Sequence, residues 1–149
     1  MRTYDYAVVR WILLALVVSC AVAAPAGAVG RGVSPPVIHE PFTPLPCPIH
    51  PDTTIDIEGC QEVRILRTDR AIDAKVRTIF HLLRTQSARL SFVTGERNWL
   101  HYRRQSCSAE ASHYAGGTAE PVAYLNCTLA RNKSHLADLT AMRSALAQR

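Results

Sequence analysis

The chain has 149 residues, 48% of them apolar and 19% charged, which bounds it at one domain of ordinary globular composition. Removing residues 1–19 takes away Arg2, Arg10 and Asp5 and leaves fifteen basic and eleven acidic residues, a net charge of +4. So mild a charge, scattered along the chain, excludes the concentrated basic face that nucleic-acid binding needs.

The N-terminus reads as an export signal. Arg2 and Arg10 give it positive flanks, and the apolar run 11–18 is shorter than the roughly 20 residues that span a bilayer. Leu16-Val17-Val18-Ser19-Cys20 fits the lipobox of bacterial lipoproteins, in which the cysteine is acylated and becomes the first residue. The preferred expectation is therefore a signal peptide over 1–19 and a lipoprotein anchored through Cys20 on the outer side of the cytoplasmic membrane. The competing expectation is a secreted protein cleaved after Ala23 or Ala28, where small residues also suit a signal peptidase.

Cysteine parity agrees with export. With Cys20 set aside, Cys47, Cys60, Cys107 and Cys127 remain, an even set that an oxidising compartment pairs. Four cysteines allow three pairings; the sequential one, 47–60 and 107–127, is preferred because both bridges are local. Zinc would begin at Cys47-Pro48-Ile49-His50, but no second Cys or His pair completes a tetrahedral set, so neither a metal nor a cofactor is expected.

Residues 20–46 are rich in Ala, Gly and Pro, and Pro25, Pro35, Pro36, Pro41, Pro44 and Pro46 keep helix out of them. The expectation is a flexible tether leading to a domain over 47–149. From Ile57 no proline occurs until Pro121, which favours helix. The first helix is predicted over 57–84, where Ile65, Ile72, Val76, Ile79, Phe80 and Leu83 recur at helical steps. A turn at Thr85-Gln86-Ser87, with Ser87 as N-cap, leads into a second helix ending near Ser106 and weakened by Gly95. Residues 108–119 read as a loop. The third helix opens near Pro121 and carries Val122, Leu125, Leu129, Leu136, Leu139 and Leu146. The predicted fold is all-α, a small three-helix bundle stapled by two disulfides.

With its Trp99-x-x-x-Arg103-x-x-x-Cys107 run, its Gly116-Gly117-Thr118 loop and its Tyr124-Leu125-Asn126-Cys127 segment, the stretch 60–127 resembles the bacterial lysozyme inhibitor LprI-like family. That family's Asp, Leu-Asn and Tyr on the first long helix correspond to Asp73, Val76-Arg77 and Phe80. Its Gln-x-x-Trp-x-x-x-Arg-x-x-x-Cys run corresponds to Glu96, Trp99, Arg103 and Cys107, with Glu in place of Gln. Gly116-Gly117-Thr118 matches its Gly-Gly loop, Tyr124-Leu125-Asn126-Cys127 its closing segment, and His135 falls near its last-helix Arg. Trp99, Arg103 and Cys107 stand at i, i+4 and i+8, one helical face, so Arg103 is expected to lie beside the indole or reach a carboxylate, with Asp73 the candidate. As a family motif, Asp73, Trp99, Arg103, Gly116 and Gly117 read as structural.

The resemblance implies binding of lysozyme-type muramidases and occlusion of the cleft where their two carboxylates act. Arg104, Glu110, His113 and Tyr114 are the expected partner-contacting residues, chosen from their position at the second loop. Common animal lysozymes are basic, so a partner of that kind calls for a local acidic patch; Asp52, Asp56, Glu58 and Glu62 are the candidates, although acidic charge also suits a helix N-terminus. The alternative is a structural or adaptor module of the bacterial cell envelope without inhibitory activity. Catalysis is not expected: no nucleophile elbow or phosphate loop is present, and Asp69 and Asp73, at i and i+4, read as a solvated helix face.

Overall fold

The computed structural model describes residues 32–42 and 45–148; the expected leader, Cys20, the cleavage points after Ala23 and Ala28, and the first part of the tether lie outside the described residues. The described chain forms three long helices and no strand: α1 (Thr54–Leu82), α2 (Gln86–Ala111) and α3 (Ala119–Ala147), with one short 3₁₀ turn at Ser112–Tyr114. They run up, down and up, and α3 packs along α1 and also against α2.

Helix ends differ from the expected ones for local reasons. α1 starts three residues early because Thr53 and Asp56 form a capping box: the Thr53 hydroxyl accepts the Asp56 N–H at 3.1 Å and the Asp56 carboxylate accepts the Thr53 N–H at 3.1 Å. The Thr53 hydroxyl hydrogen-bonds Asp56 as well, and these contacts hold the Asp56 carboxyl below its ordinary range. At the next corner Thr85, not Ser87, caps α2 by accepting the Ala88 N–H at 3.1 Å. Arg89 Nε donates to the Leu83 carbonyl at 2.9 Å and occupies one acceptor at the end of α1. α2 continues past Ser106 to Ala111, because Ser108-Ala109-Glu110-Ala111 holds no breaker and the glycines come only at Gly116 and Gly117. Gly116 turns the chain with φ 77°, and its N–H donates to the Glu120 carboxylate at 3.0 Å. Pro121 lies in the first turn of α3, which starts two residues before it.

The sequential disulfides form, Cys47–Cys60 and Cys107–Cys127. One apolar layer comprises Ile72, Val76, Ile79 and Leu139, flanked by Trp99, Leu136, Leu146 and Phe92. A second comprises Ile65, Leu125 and Leu129, with Tyr124 against it. Part of the expected tether is laid on the helices: Ile38 packs on the first layer and Phe42 on the second. Composition suggested mobility there, but two apolar side chains spaced four apart along an extended segment reach both layers.

Two glycines in helices make opposite demands. A Cβ on Gly95 would meet nothing within 4 Å, so Gly95→Ala is expected to stabilise the fold by about 1 kcal/mol. A Cβ on Gly59 would stand 2.9 Å from Leu45 Cβ and 3.1 Å from the Leu45 carbonyl oxygen, so Gly59→Ala is expected to destabilise by about 1–3 kcal/mol. Urea unfolding of the two variants reads both signs.

Candidate functional site

Between the two apolar layers lies a polar one, contributed by every helix and by the entry segment. On α1, Thr68 and Asp69 fall between Ile65 and Ile72; on α3, Asn132 falls between Leu129 and Leu136; Arg103 enters from α2. Arg103 is 3% exposed, Asp69 3% and Asn132 fully buried, so their polar atoms turn mainly to one another. Arg103 Nη1 donates to Asp69 Oδ1 at 3.0 Å and to Asn132 Oδ1 at 2.7 Å, and Nη2 pairs with the Glu40 carboxylate. Asn132 Nδ2 donates to Asp69 Oδ1 at 2.8 Å and to the Thr68 hydroxyl at 3.0 Å.

The Arg103 guanidinium stands 5.3 Å from the Trp99 ring centroid, as its i, i+4 spacing predicts. Its carboxylates are Asp69 and Glu40 rather than the expected Asp73, because α2 runs antiparallel to α1 and meets it one turn earlier. Asp73 instead accepts the Ile38 N–H at 3.1 Å and helps hold the entry segment. Neither aspartate is the solvated surface acid that their spacing suggested: Asp69 and Asp73 are 3% and 9% exposed. His135 stacks on Trp99, with centroids 3.7 Å apart and planes 14° apart, and its Nε2 lies 2.9 Å from Glu96 Oε2. The Glu and His that depart from the family pattern thus meet each other.

Burial drives the Asp69 carboxyl up to about 6, against the pull of Arg103 and with the push of the Glu40 charge, and its Oδ2 has no partner among the described residues. Burial also raises Asp73, opposed by the Ile38 N–H, Arg77 and His39. The sign for Asp69 follows directly. The folded state binds its proton below about pH 6 and the unfolded chain only below about 4, so stability gained on protonation appears as pH falls from about 6 to 4. Wild-type stability relative to Asp69→Asn is expected to rise across that window on acidification; urea titrations at pH 4, 5, 6 and 7 check it, and a flat difference refutes it.

This layer is almost wholly buried, with only Asp69 Oδ2 and Arg103 Nε unpartnered among the described residues, so it organises the bundle and presents little to a ligand. The accessible chemistry lies at the end of the bundle where α1 begins, α2 ends and α3 begins. There a groove of about 390 Å³ has Phe42, Ala111, Pro121, Tyr124 and Leu125 along its apolar part and Glu58, Glu62 and Glu120 on it, with no cationic residue among its described lining. Beside it, on the other side of the first turn of α3, Glu110, His113 and Tyr114 share a shallow cleft with Val122, Ala123 and Asn126. All three are exposed, Tyr114 by 53%. Arg104, grouped with them from sequence, lines a separate cleft with Val37, His39 and Leu100. Among the described residues no group of three His, Cys, Asp or Glu side chains could hold a metal ion.

Four cysteines joined sequentially, a Trp-Arg-Cys face on α2 and a Gly-Gly turn closed on α3 describe a specific small helical scaffold. Residues 47–139 match the family described as Lysozyme inhibitor LprI. The chain belongs to the LprI family. The matched span runs from the first disulfide cysteine to Leu139 in the apolar layer, and it holds Asp69, Arg103 and Asn132 but not Glu40. The family is one of inhibitors rather than of enzymes. Comparison with curated proteins and with solved structures returns no match.

Asp73, Trp99, Arg103, Gly116 and Gly117 are all placed within this LprI scaffold: Asp73 and Arg103 buried, Trp99 half-buried, and the two glycines at the turn. Asp69, Asn132 and Glu40 were not singled out as site residues from sequence. For Asn132 a signal existed, since it occupies the position between Leu129 and Leu136 where the helical repeat calls for an apolar residue.

Proposed function

We propose that this LprI protein binds lysozyme-type muramidases outside the cytoplasmic membrane, anchored by lipid on Cys20 or released, and blocks them by covering the glycan cleft. The family match over 47–139 is the observation that carries the reading. The charge distribution supports it. Although the chain is net basic, the open end of the bundle sets Glu58, Glu62, Glu110 and Glu120 around Phe42, Tyr114 and Tyr124. Carboxylates around aromatic side chains suit a cationic enzyme, since local complementarity steers encounter and aromatic anchors supply contact area. Glu58 and Glu62 come from the acidic run singled out in sequence, and Glu120 joins them from α3.

The test is a lysis assay with purified full-length protein against an animal c-type lysozyme and a bacterial muramidase. Inhibition at micromolar protein or below, weakened by Glu58→Lys with Glu62→Lys and by raised salt, is the expected result. Neither binding nor inhibition at that concentration overturns the reading in favour of an adaptor module of the envelope.

A further inference from the structure

The same end of the bundle carries a feature that neither the fold nor the groove uses. Ile49 is 92% exposed, the most exposed large apolar side chain among those of the described residues, and Ile55 is 63% and Leu45 45% exposed nearby in sequence. An isolated exposed apolar residue is ordinary, but this one is held out deliberately. On one side the chain is fixed by the Cys47–Cys60 disulfide and by the close approach of Leu45 and Pro46 to Gly59. On the other it is fixed by Thr53, locked into the capping box of α1. Pro48-Ile49-His50-Pro51-Asp52 spans the two anchors, and all five residues are exposed. The prolines fix φ at positions 48 and 51, and Pro51 confines His50 to extended backbone. A loop so constrained loses little conformational freedom when a partner closes on it.

We infer that the Pro48–Pro51 segment is the element that enters the muramidase cleft, with Ile49 in an apolar sugar subsite and His50 donating a ring N–H to one of the two catalytic carboxylates. The inference rests on the inhibitor reading and deepens it by assigning the inserted residues. The 3₁₀ turn and Gly-Gly segment at 112–117, the other projecting element at this end, is the less constrained of the two, since no disulfide or proline lies within it. Asp52 beside the loop and Glu58 and Glu62 in the groove add negative charge where a cationic enzyme would approach.

The experiment measures Ki of the full-length protein against a c-type lysozyme for wild type, Ile49→Asp, His50→Ala and, as a control at the opposite end of the bundle, Met142→Ala, with melting temperatures alongside. Ile49 is solvent-exposed, so Ile49→Asp is expected to melt with wild type. Its Ki is expected to rise at least 30-fold and that of His50→Ala about 10-fold, with less than a 3-fold change for Met142→Ala. Saturating the cleft with a chitooligosaccharide is expected to weaken binding of wild type. If wild type inhibits and Ile49→Asp inhibits as well, or if binding ignores the oligosaccharide, the loop assignment is overturned while the inhibitor reading stands. If wild type inhibits no muramidase, both fall.

Discussion

Arg103→Leu is expected to lower the unfolding free energy by about 3–5 kcal/mol, the cost of leaving buried carboxylates without their cation. Asp69 and Glu40 both turn to this one guanidinium, and their own side chains are only 5% and 6% exposed. With Arg103 gone, Asp69 keeps only the Asn132 amide, and Glu40 loses the contact that holds the entry segment to α2. Arg103→Lys is expected to recover part of the loss, because an ammonium keeps the charge but cannot fork between Asp69 and Glu40 as two guanidinium nitrogens do. Replacing the layer as a whole is a different experiment. Arg103→Met with Asp69→Leu, Asn132→Leu and Glu40→Gln continues the apolar stripes of α1 and α3 and is expected to be more stable than Arg103→Leu alone. Denaturant unfolding by circular dichroism ranks the variants; an Arg103→Leu loss under about 1 kcal/mol would show that the layer is hydrated and weakly coupled.

The polar layer also explains which parts of the molecule were legible in sequence. Helices and disulfides follow from local rules: apolar residues at steps of three and four, Thr and Asp at caps, glycine at the left-handed turn, cysteines near in sequence. Each of these is settled within a few residues, and the discrepancies at Thr53, Thr85 and Ala111 amount to five residues at most. The partner of Arg103 is a different kind of quantity. Choosing Asp69 over Asp73 depends on the axial level at which antiparallel helices meet, which a single helix does not encode. Glu40 was less legible still, since the prolines around it say only that the backbone is extended, and extended backbone can be free or clamped. What clamps it is the coincidence of Ile38, Glu40 and Phe42 with an apolar layer, a buried cation and a second apolar layer. The candidate interface behaved likewise. Glu110, His113 and Tyr114 line one cleft, as their adjacency suggests, whereas Arg104, the residue after Arg103, lines another.

The two disulfides close loops of 13 and 20 residues, for which loop entropy alone assigns nearly the same stabilisation, about 3 kcal/mol each. The structure argues that they will not behave alike. Cys107 is fully buried and Cys127 4% exposed, and both lie within helices that unfold only with the core. Cys107→Ala with Cys127→Ala is therefore expected to cost the whole amount, about 3 kcal/mol, plus the cavity that two missing sulfurs leave. Cys47 is exposed and precedes α1, so when its bridge to Cys60 is removed the segment up to Thr53 can detach while the helices stay folded. Global stability in Cys47→Ala with Cys60→Ala is expected to fall by only about 1 kcal/mol, since most of the freed entropy is released locally in the folded state. Inhibition, by contrast, is expected to suffer more in this variant than in the core one at temperatures where both are folded, because Ile49 is then no longer held out. Urea unfolding combined with the lysis assay separates the two bridges, one serving the core and the other the presentation of a loop. Equal stability losses with unchanged inhibition would place both cysteine pairs in the same structural role.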